Sequence, residues 1–169
     1  MQDKDATNFT HKLTAVFREC FRVLKENGIL AFSFHHSRIE GWLAIYQAVV
    51  NAGFAIVAAY PIHGEMKVAS PKSATKEPIS LDAILVCKKT LQTVTAPQDI
   101  ICEVERRTAK LASELHTYGA ILSQADLLVI KMSQAMTLGS LAHYSVAAMQ
   151  NLLEQCAAAI KLNGALTLS

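Results

Sequence analysis

The sequence has few cysteines and no closely spaced pair of them. Its four cysteines are scattered over 169 residues, and no Cys-x-x-Cys motif occurs. This spacing excludes a zinc ribbon and argues against a disulfide framework, so we expect reduced thiols and a cytoplasmic protein. Cys20 and Cys156 fall on apolar helical stripes, which predicts buried thiols rather than nucleophiles.

Long hydrophobic runs and a strong net charge are also missing. No apolar run reaches the roughly 18 residues that a membrane-spanning helix needs, and residues 1–11 lack the apolar segment of a signal peptide. The formal net charge is only +2, too small to indicate nucleic-acid binding by itself. A content of 51% hydrophobic and 18% charged residues predicts a globular protein.

The first half of the chain alternates between helical and extended patterns. Residues 8–27 have the apolar periodicity of an amphipathic helix. Gly28 is expected to end it in the left-handed conformation. The apolar segment 29–34 then predicts a strand buried on both faces of a parallel sheet. His35 and His36 follow at the strand end, where ligands bind in open α/β sheets.

A second helix is predicted to begin at Ser37, which has capping-box spacing to Glu40, and to end at Gly53. The segment 54–61 is then a second strand. A strand, helix and strand with short connections are typical of a βαβ unit, which predicts a parallel pair of strands.

After a polar loop, the segment 81–87 predicts a third strand, antiparallel to the second because no helix separates them. A polar break with Pro97 follows. Beyond it, apolar periodicity predicts helices over 99–118, 123–141 and 145–162.

One run of residues carries a family resemblance. The phrase F-x-E-x-x-R-V-L-K-x-x-G-x-L-x-F-x-F-H-H spans Phe17 to His36, and a helix bearing Trp42 and ending in Ala-Gly-Phe comes next. This run is similar to one in class I S-adenosylmethionine-dependent DNA amino-methyltransferases of the adenine-specific DNA methylase type. The resemblance covers about residues 9–89.

The resemblance implies a fold and an activity. In that family the fifth strand leads through a helix to the sixth, and the seventh inserts antiparallel between them. The implied fold is a partial Rossmann-like methyltransferase sheet, with parallel strands and one antiparallel strand. Residues 1–90 would form the C-terminal part of the catalytic domain and residues 97–169 a helical extension. The implied reaction is methyl transfer from S-adenosylmethionine to an exocyclic amino group of adenine or cytosine in DNA.

Two motifs of that family are missing. The chain has no Gly-x-Gly turn to approach the cofactor, and its four prolines are isolated, so no Asp-Pro-Pro-Tyr-like tetrapeptide can hold a flipped base. We therefore expect a C-terminal fragment with neither catalytic nor cofactor-binding residues of its own, unable to bind S-adenosylmethionine alone. Its expected partners are DNA and the missing N-terminal part, or a separate subunit carrying it. An incomplete sheet also predicts self-association through an open edge.

The resemblance implies that some residues form the rim of the substrate site, namely His35, His36, Tyr60 and Glu65. The alternative for the histidines is structural hydrogen bonding at a strand end, and for Glu65 a solvated position. A metal site is disfavoured, because adjacent strand residues point to opposite faces.

Lysines of the polar loop are candidates for contacts with the DNA backbone, and the alternative is a solvated loop. These residues are Lys67, Lys72 and Lys76. Trp42 is interpreted as a core residue. Arg106, Arg107 and Lys110 are interpreted as an exposed helix face.

Two other functions stay open from the sequence. The first is a fragment of a methyltransferase that acts on RNA or a small molecule, because the Arg-Val-Leu-Lys phrase is shared widely. The second is a non-catalytic module that pairs with a separate cofactor-binding subunit.

Overall fold

The protein is described here by a computed structural model of residues 6–64, 79–89 and 97–166, with side chains for 8–64, 79–89 and 97–158. These ranges hold helices and strands in the predicted order. The elements are α1 (Ala6–Val23), β1 (Leu30–Phe34), α2 (Ile39–Asn51), β2 (Ala55–His63), β3 (Leu81–Lys88), α3 (Ile100–Thr117), α4 (Gln124–Leu141) and α5 (Val146–Leu166).

The three strands form one sheet in the order β1-β3-β2, and β3 is antiparallel to both of its neighbours. The predicted antiparallel pairing of the second and third strands is confirmed. Because both outer strands oppose β3, they run in the same direction. They are not hydrogen-bonded to each other, so the predicted parallel pair is wrong. The fold is α/β, but within the described residues it has no Rossmann-like sheet of parallel neighbours.

Strand β1 differs from its prediction in burial. Its side chains alternate, with Leu30, Phe32 and Phe34 partly buried against the core and Ala31 and Ser33 exposed. The prediction of burial on both faces is therefore wrong. In a sheet of antiparallel pairs, one face can pack on the core while the other faces solvent, and the alternating burial of β1 has this pattern.

Two local predictions at the helix ends also need correction. Gly28 does not have a positive φ. A glycine is favoured there because an added Cβ would lie 2.9 Å from the backbone oxygen of Lys25, closer than a Cβ can approach. Residue Ser37 does not cap α2, whose N-cap is Arg38 with no side-chain cap bond. The prediction for Gly53 is confirmed, since it follows α2 with a φ of +97°.

Helix α4 lies at the centre of the protein and packs against β2, β3, α3 and α5. Every residue from 129 to 140 is buried. Two of its polar side chains bond to the backbone of β2: Ser140 Oγ accepts from Ile56 N at 2.9 Å, and Gln134 Nε2 donates to Ala59 O at 3.1 Å. At these two points, side chains of α4 bond to the β2 edge in the way that a further strand would.

The N-terminus of α4 is tied to the start of β3 by Asp126, which is 1% exposed. One carboxylate oxygen accepts from the backbone N–H groups of Ser80 at 2.7 Å and Leu81 at 2.9 Å. The other accepts from the Ser80 and Ser123 hydroxyls and from Ser123 N. Ser123 in turn accepts from Asp126 N, which completes a capping box.

A buried lysine on α4 pairs with a glutamate on α3. Lys131 Nζ lies 2.5 Å from Glu105 Oε1, and the two side chains are 3% and 42% exposed. Replacing Glu105 with glutamine would leave the lysine charge buried without its partner, so we expect a loss of about 1–3 kcal/mol in the free energy of unfolding. Replacing Lys131 with methionine removes the charge itself, and we expect a change within about 1 kcal/mol. Urea unfolding measures both; equal losses for the two variants would contradict this account.

The predicted burial is confirmed for Cys156 but not for Cys20. All four cysteines are free, and Cys87 and Cys156 are buried, which raises the pKa of their thiols to about 12 and about 11. Cys20 is partly buried. Within the described ranges, no helix combines the length and the apolar character needed to cross a bilayer.

Candidate functional site on the outer face of the sheet

The sheet has an inner face against the core and an opposite face, here called the outer face. The buried positions Leu81, Ala83, Leu85 and Cys87 of β3 alternate with half-buried ones. The residues of β1 and β2 that lie directly opposite those half-buried positions share the same face of the sheet. The outer face consists of Ala31, Ser33, His35, Ala58, Tyr60, Ile62, Asp82, Ile84 and Val86.

His35 and Asp82 form a hydrogen-bonded dyad on the outer face. His35 follows the last residue of β1, and its Nδ1 contacts Asp82 Oδ1 from the start of β3. The His35 side chain is 50% exposed and that of Asp82 is 22% exposed. A carboxylate only accepts hydrogen bonds, so neutral His35 carries its proton on Nδ1 and has the lone pair on Nε2.

His36 has a different role from its neighbour. Its ring stacks on Phe34 with centroids 6.4 Å apart, and an added Cβ on Gly41 would lie 2.3 Å from its Cγ. Its Nδ1 accepts from Arg38 N at 3.0 Å, so this histidine, rather than Ser37, satisfies a backbone donor at the start of α2. The two histidines therefore lie on opposite faces of the sheet, as the strand geometry predicts.

Tyr60 lies on the outer face beside the dyad. It pairs with Ile84, two residues from Asp82, and is 57% exposed. It also lines a cavity of about 330 Å³ between β2, α3 and α4. The structure thus brings His35 and Tyr60 to one surface and separates both from His36.

The other predicted site residues are not described by the structure. Glu65, Lys67, Lys72 and Lys76 lie outside the described residues. Arg106 and Lys110 are exposed, as predicted for a helix face, but together with Arg107 they also line the cavity beside Tyr60. Within the described part of the chain, no group of three or more His, Cys, Asp or Glu side chains is arranged to hold a metal ion.

The role of Asp82 and the position of the α3 cations were not predicted from the sequence. The sequence contains an indication that Asp82 has a special role, because Asp82 is the one charged residue within the apolar run 81–87. No feature of the sequence indicates that the α3 cations lie near Tyr60, because residues far apart in sequence can be close in space.

The hydrogen bond between His35 and Asp82 predicts which ring nitrogen of neutral His35 carries the proton. Replacing Asp82 with alanine removes the acceptor from Nδ1, so we expect neutral His35 to move its proton to Nε2. Long-range ¹H–¹⁵N correlation spectra distinguish the two tautomers. His36 serves as an internal control whose signals are expected to stay unchanged. A wild-type His35 that already has its proton on Nε2 would contradict the assigned hydrogen bond.

Comparison of the chain with protein-family models, curated proteins and solved structures finds no match.

Proposed function

We propose that this chain is the C-terminal part of a class I S-adenosylmethionine-dependent methyltransferase that modifies an exocyclic amino group of adenine or cytosine in DNA. Its sheet would be the last three strands of a larger, Rossmann-like sheet in the cytoplasm. The chain would form one wall of the substrate site and would depend on another polypeptide segment for the cofactor.

The observation that carries this proposal is the strand order. The resemblance implies two codirectional strands joined by a helix, with a third strand inserted antiparallel between them. The order β1-β3-β2, with β3 antiparallel to both neighbours, has that arrangement. The family sheet continues on the far side of its fifth strand. In this chain the corresponding edge is that of β1, which has no partner in the described residues.

The position of the polar outer-face residues also supports the proposal. His35 stands at the carboxyl end of β1, and Tyr60 lies in the carboxyl-terminal half of β2. Sites of open α/β folds lie beyond the carboxyl ends of codirectional strands. Asp82 fixes the His35 ring and leaves Nε2 facing outward, ready to hydrogen-bond an amino group of a nucleobase.

The described residues do not fit the cofactor. Close backbone approach to a ligand needs glycines that face an open cleft. Among the glycines whose surroundings the structure describes, those with the least room for a Cβ are Gly28, Gly41 and Gly139, and each lies against this chain's own side chains. A cavity of about 410 Å³ at the start of α2 is lined by no glycine. The cofactor would therefore be held by the rest of the enzyme, and no step of the reaction is assigned to this chain.

The test is co-expression of this chain with the polypeptide encoded directly upstream, followed by transfer of labelled methyl groups from S-adenosylmethionine. We expect the complex to methylate DNA and not RNA, and the isolated chain to be inactive. We expect His35→Ala to lower the rate at least about tenfold, because a displaced substrate reacts slowly. His11→Ala, a histidine change on α1, is the matched control. Methylation of RNA alone would favour the other substrate class.

Calorimetry gives an independent check of the proposal. S-adenosylmethionine titrated into the isolated chain is expected to release no heat of binding, since the glycine-rich turn is missing. Micromolar affinity would overturn the proposal that this chain depends on another segment for the cofactor. The open edge of β1 further leads us to propose association of this chain with its second segment, or with itself when that segment is withheld. Light scattering showing a monomer at high concentration would contradict the self-association.

A further inference from the structure

A groove with a basic wall runs between β2, α3 and α4, along the strand at the edge of the sheet. Its cavity of about 330 Å³ is lined by Arg106, Arg107 and Lys110 on α3 and by Tyr60 on β2. Glu114 is the only acidic side chain among the described lining residues. The groove therefore presents an excess of positive charge beside an exposed aromatic ring.

The two arginines are held in place by Glu103, which is one turn earlier on α3 and does not line the groove. Glu103 accepts from Arg106 Nε at 2.7 Å and Nη2 at 2.8 Å, and from Arg107 Nε at 2.8 Å. These hydrogen bonds lower the pKa of Glu103 to about 2, so the carboxylate stays ionised in neutral solution. The guanidinium groups are thus oriented before any ligand arrives, which reduces the entropy lost on binding.

Tyr60 supplies a flat surface next to these cations. Its ring is 57% exposed, although large aromatic side chains usually bury most of their area. Sheet-borne aromatic rings beside basic side chains are the combination that binds unpaired nucleotides, since the ring stacks on a base and the cations contact phosphates. A free inorganic anion would contact the cations but would make no use of the ring.

We propose that this groove binds an unpaired strand of DNA, with one base stacked on Tyr60 and its phosphates on Arg106, Arg107 and Lys110. The choice of DNA rests on the proposed function, while the chemistry of the groove rests on its own residues. Of the groove residues, Tyr60 is the one that also lies on the outer face, on which the His35–Asp82 dyad is found.

Fluorescence anisotropy with a labelled short oligothymidylate tests this inference on the full chain. Three phosphate contacts give an expected slope of about −2 for log K against log salt concentration. The double variant Arg107→Gln/Lys110→Gln is expected to reduce the slope to about −0.7. Tyr60→Ala is expected to weaken binding roughly 5- to 150-fold, and Tyr60→Phe to retain it because the ring remains.

The matched control is Arg22→Gln/Lys25→Gln, which removes the same charge near the end of α1 and is expected to leave affinity within about twofold. No binding at low salt, or an equal loss in the control, would overturn the inference. Tighter binding of oligouridylate would overturn the assignment to DNA. A failed methylation assay would leave a positive anisotropy result standing, so the failure of this inference and that of the proposed function can be told apart.

Discussion

Replacing Asp126 with alanine is expected to lower the free energy of unfolding by about 3 kcal/mol, because several buried donors lose their acceptor at once. Those donors are the backbone N–H groups of Ser80, Leu81 and Ser123 and two serine hydroxyls. The melting temperature is expected to fall by about 6–12 °C for a chain of this size. Thermal unfolding followed by circular dichroism measures the change.

The same carboxylate makes stability depend on pH. Burial by itself would raise the pKa of Asp126, but the hydrogen bonds from Ser123 and Ser80 outweigh it and lower the pKa below its ordinary value of 3.8. The stability that Asp126 contributes is therefore fully present above that ordinary value and is lost as the pH falls through the lowered folded-state pKa. Asp126→Asn is expected to lack this part of the acid-induced loss. Ser145→Ala, at the exposed start of α5, is the control; a wild-type loss unchanged by Asp126→Asn would contradict the assignment.

Replacing Trp42 with alanine is expected to cost about 3–5 kcal/mol of folding free energy. Trp42 is fully buried, contacts Phe34 edge-to-face with ring centroids 5.0 Å apart, and donates from Nε1 to His36 O at 2.9 Å. The alanine variant would enlarge the cavity that Trp42 already lines at the start of α2. Urea unfolding followed by circular dichroism measures the loss, since Trp42 is the sole tryptophan and its fluorescence is removed with it.

A second substitution separates packing from the hydrogen bond. Trp42→Phe keeps an aromatic ring but no donor, so we expect an intermediate loss of about 1–3 kcal/mol. Val50→Ala, on the exposed side of the same helix, is the control, with an expected change below about 1 kcal/mol. A Trp42→Ala variant as stable as this control would show that the ring is not part of the core.

Periodicity predicted the helices and strands well because it reports which face of an element is apolar. The prediction of β3 depended on the run 81–87, and the observed strand, Leu81–Lys88, differs by one residue. Burial of β1 was predicted wrongly because the residue pattern of a strand does not reveal what lies next to it in space. Its apolar stretch stands at the end of the sheet, where one face has no cover.

The candidate site was predicted only in part. His35 and Tyr60 came from the resemblance, and the structure adds that they share a face, a relation that depends on the register of β3 between them. The capping role of His36 was not predicted, because Ser37 has the more common residue type for a cap. The buried polar positions of α4, such as Gln134, were not predicted either, since their partners belong to a distant strand.

The two edges of the sheet have different chemical properties, and this makes one edge more favourable than the other for the addition of a strand. At the β2 edge, the side chains of Ser140 and Gln134 already hydrogen-bond two main-chain groups that an incoming strand would need. At the opposite margin, β1 ends the sheet with small residues on its outer face, Ala31 and Ser33, that offer little steric obstruction. We therefore expect a polypeptide that lengthens this sheet to add at β1, and a proline placed at residue 31 or 33 to hinder that addition.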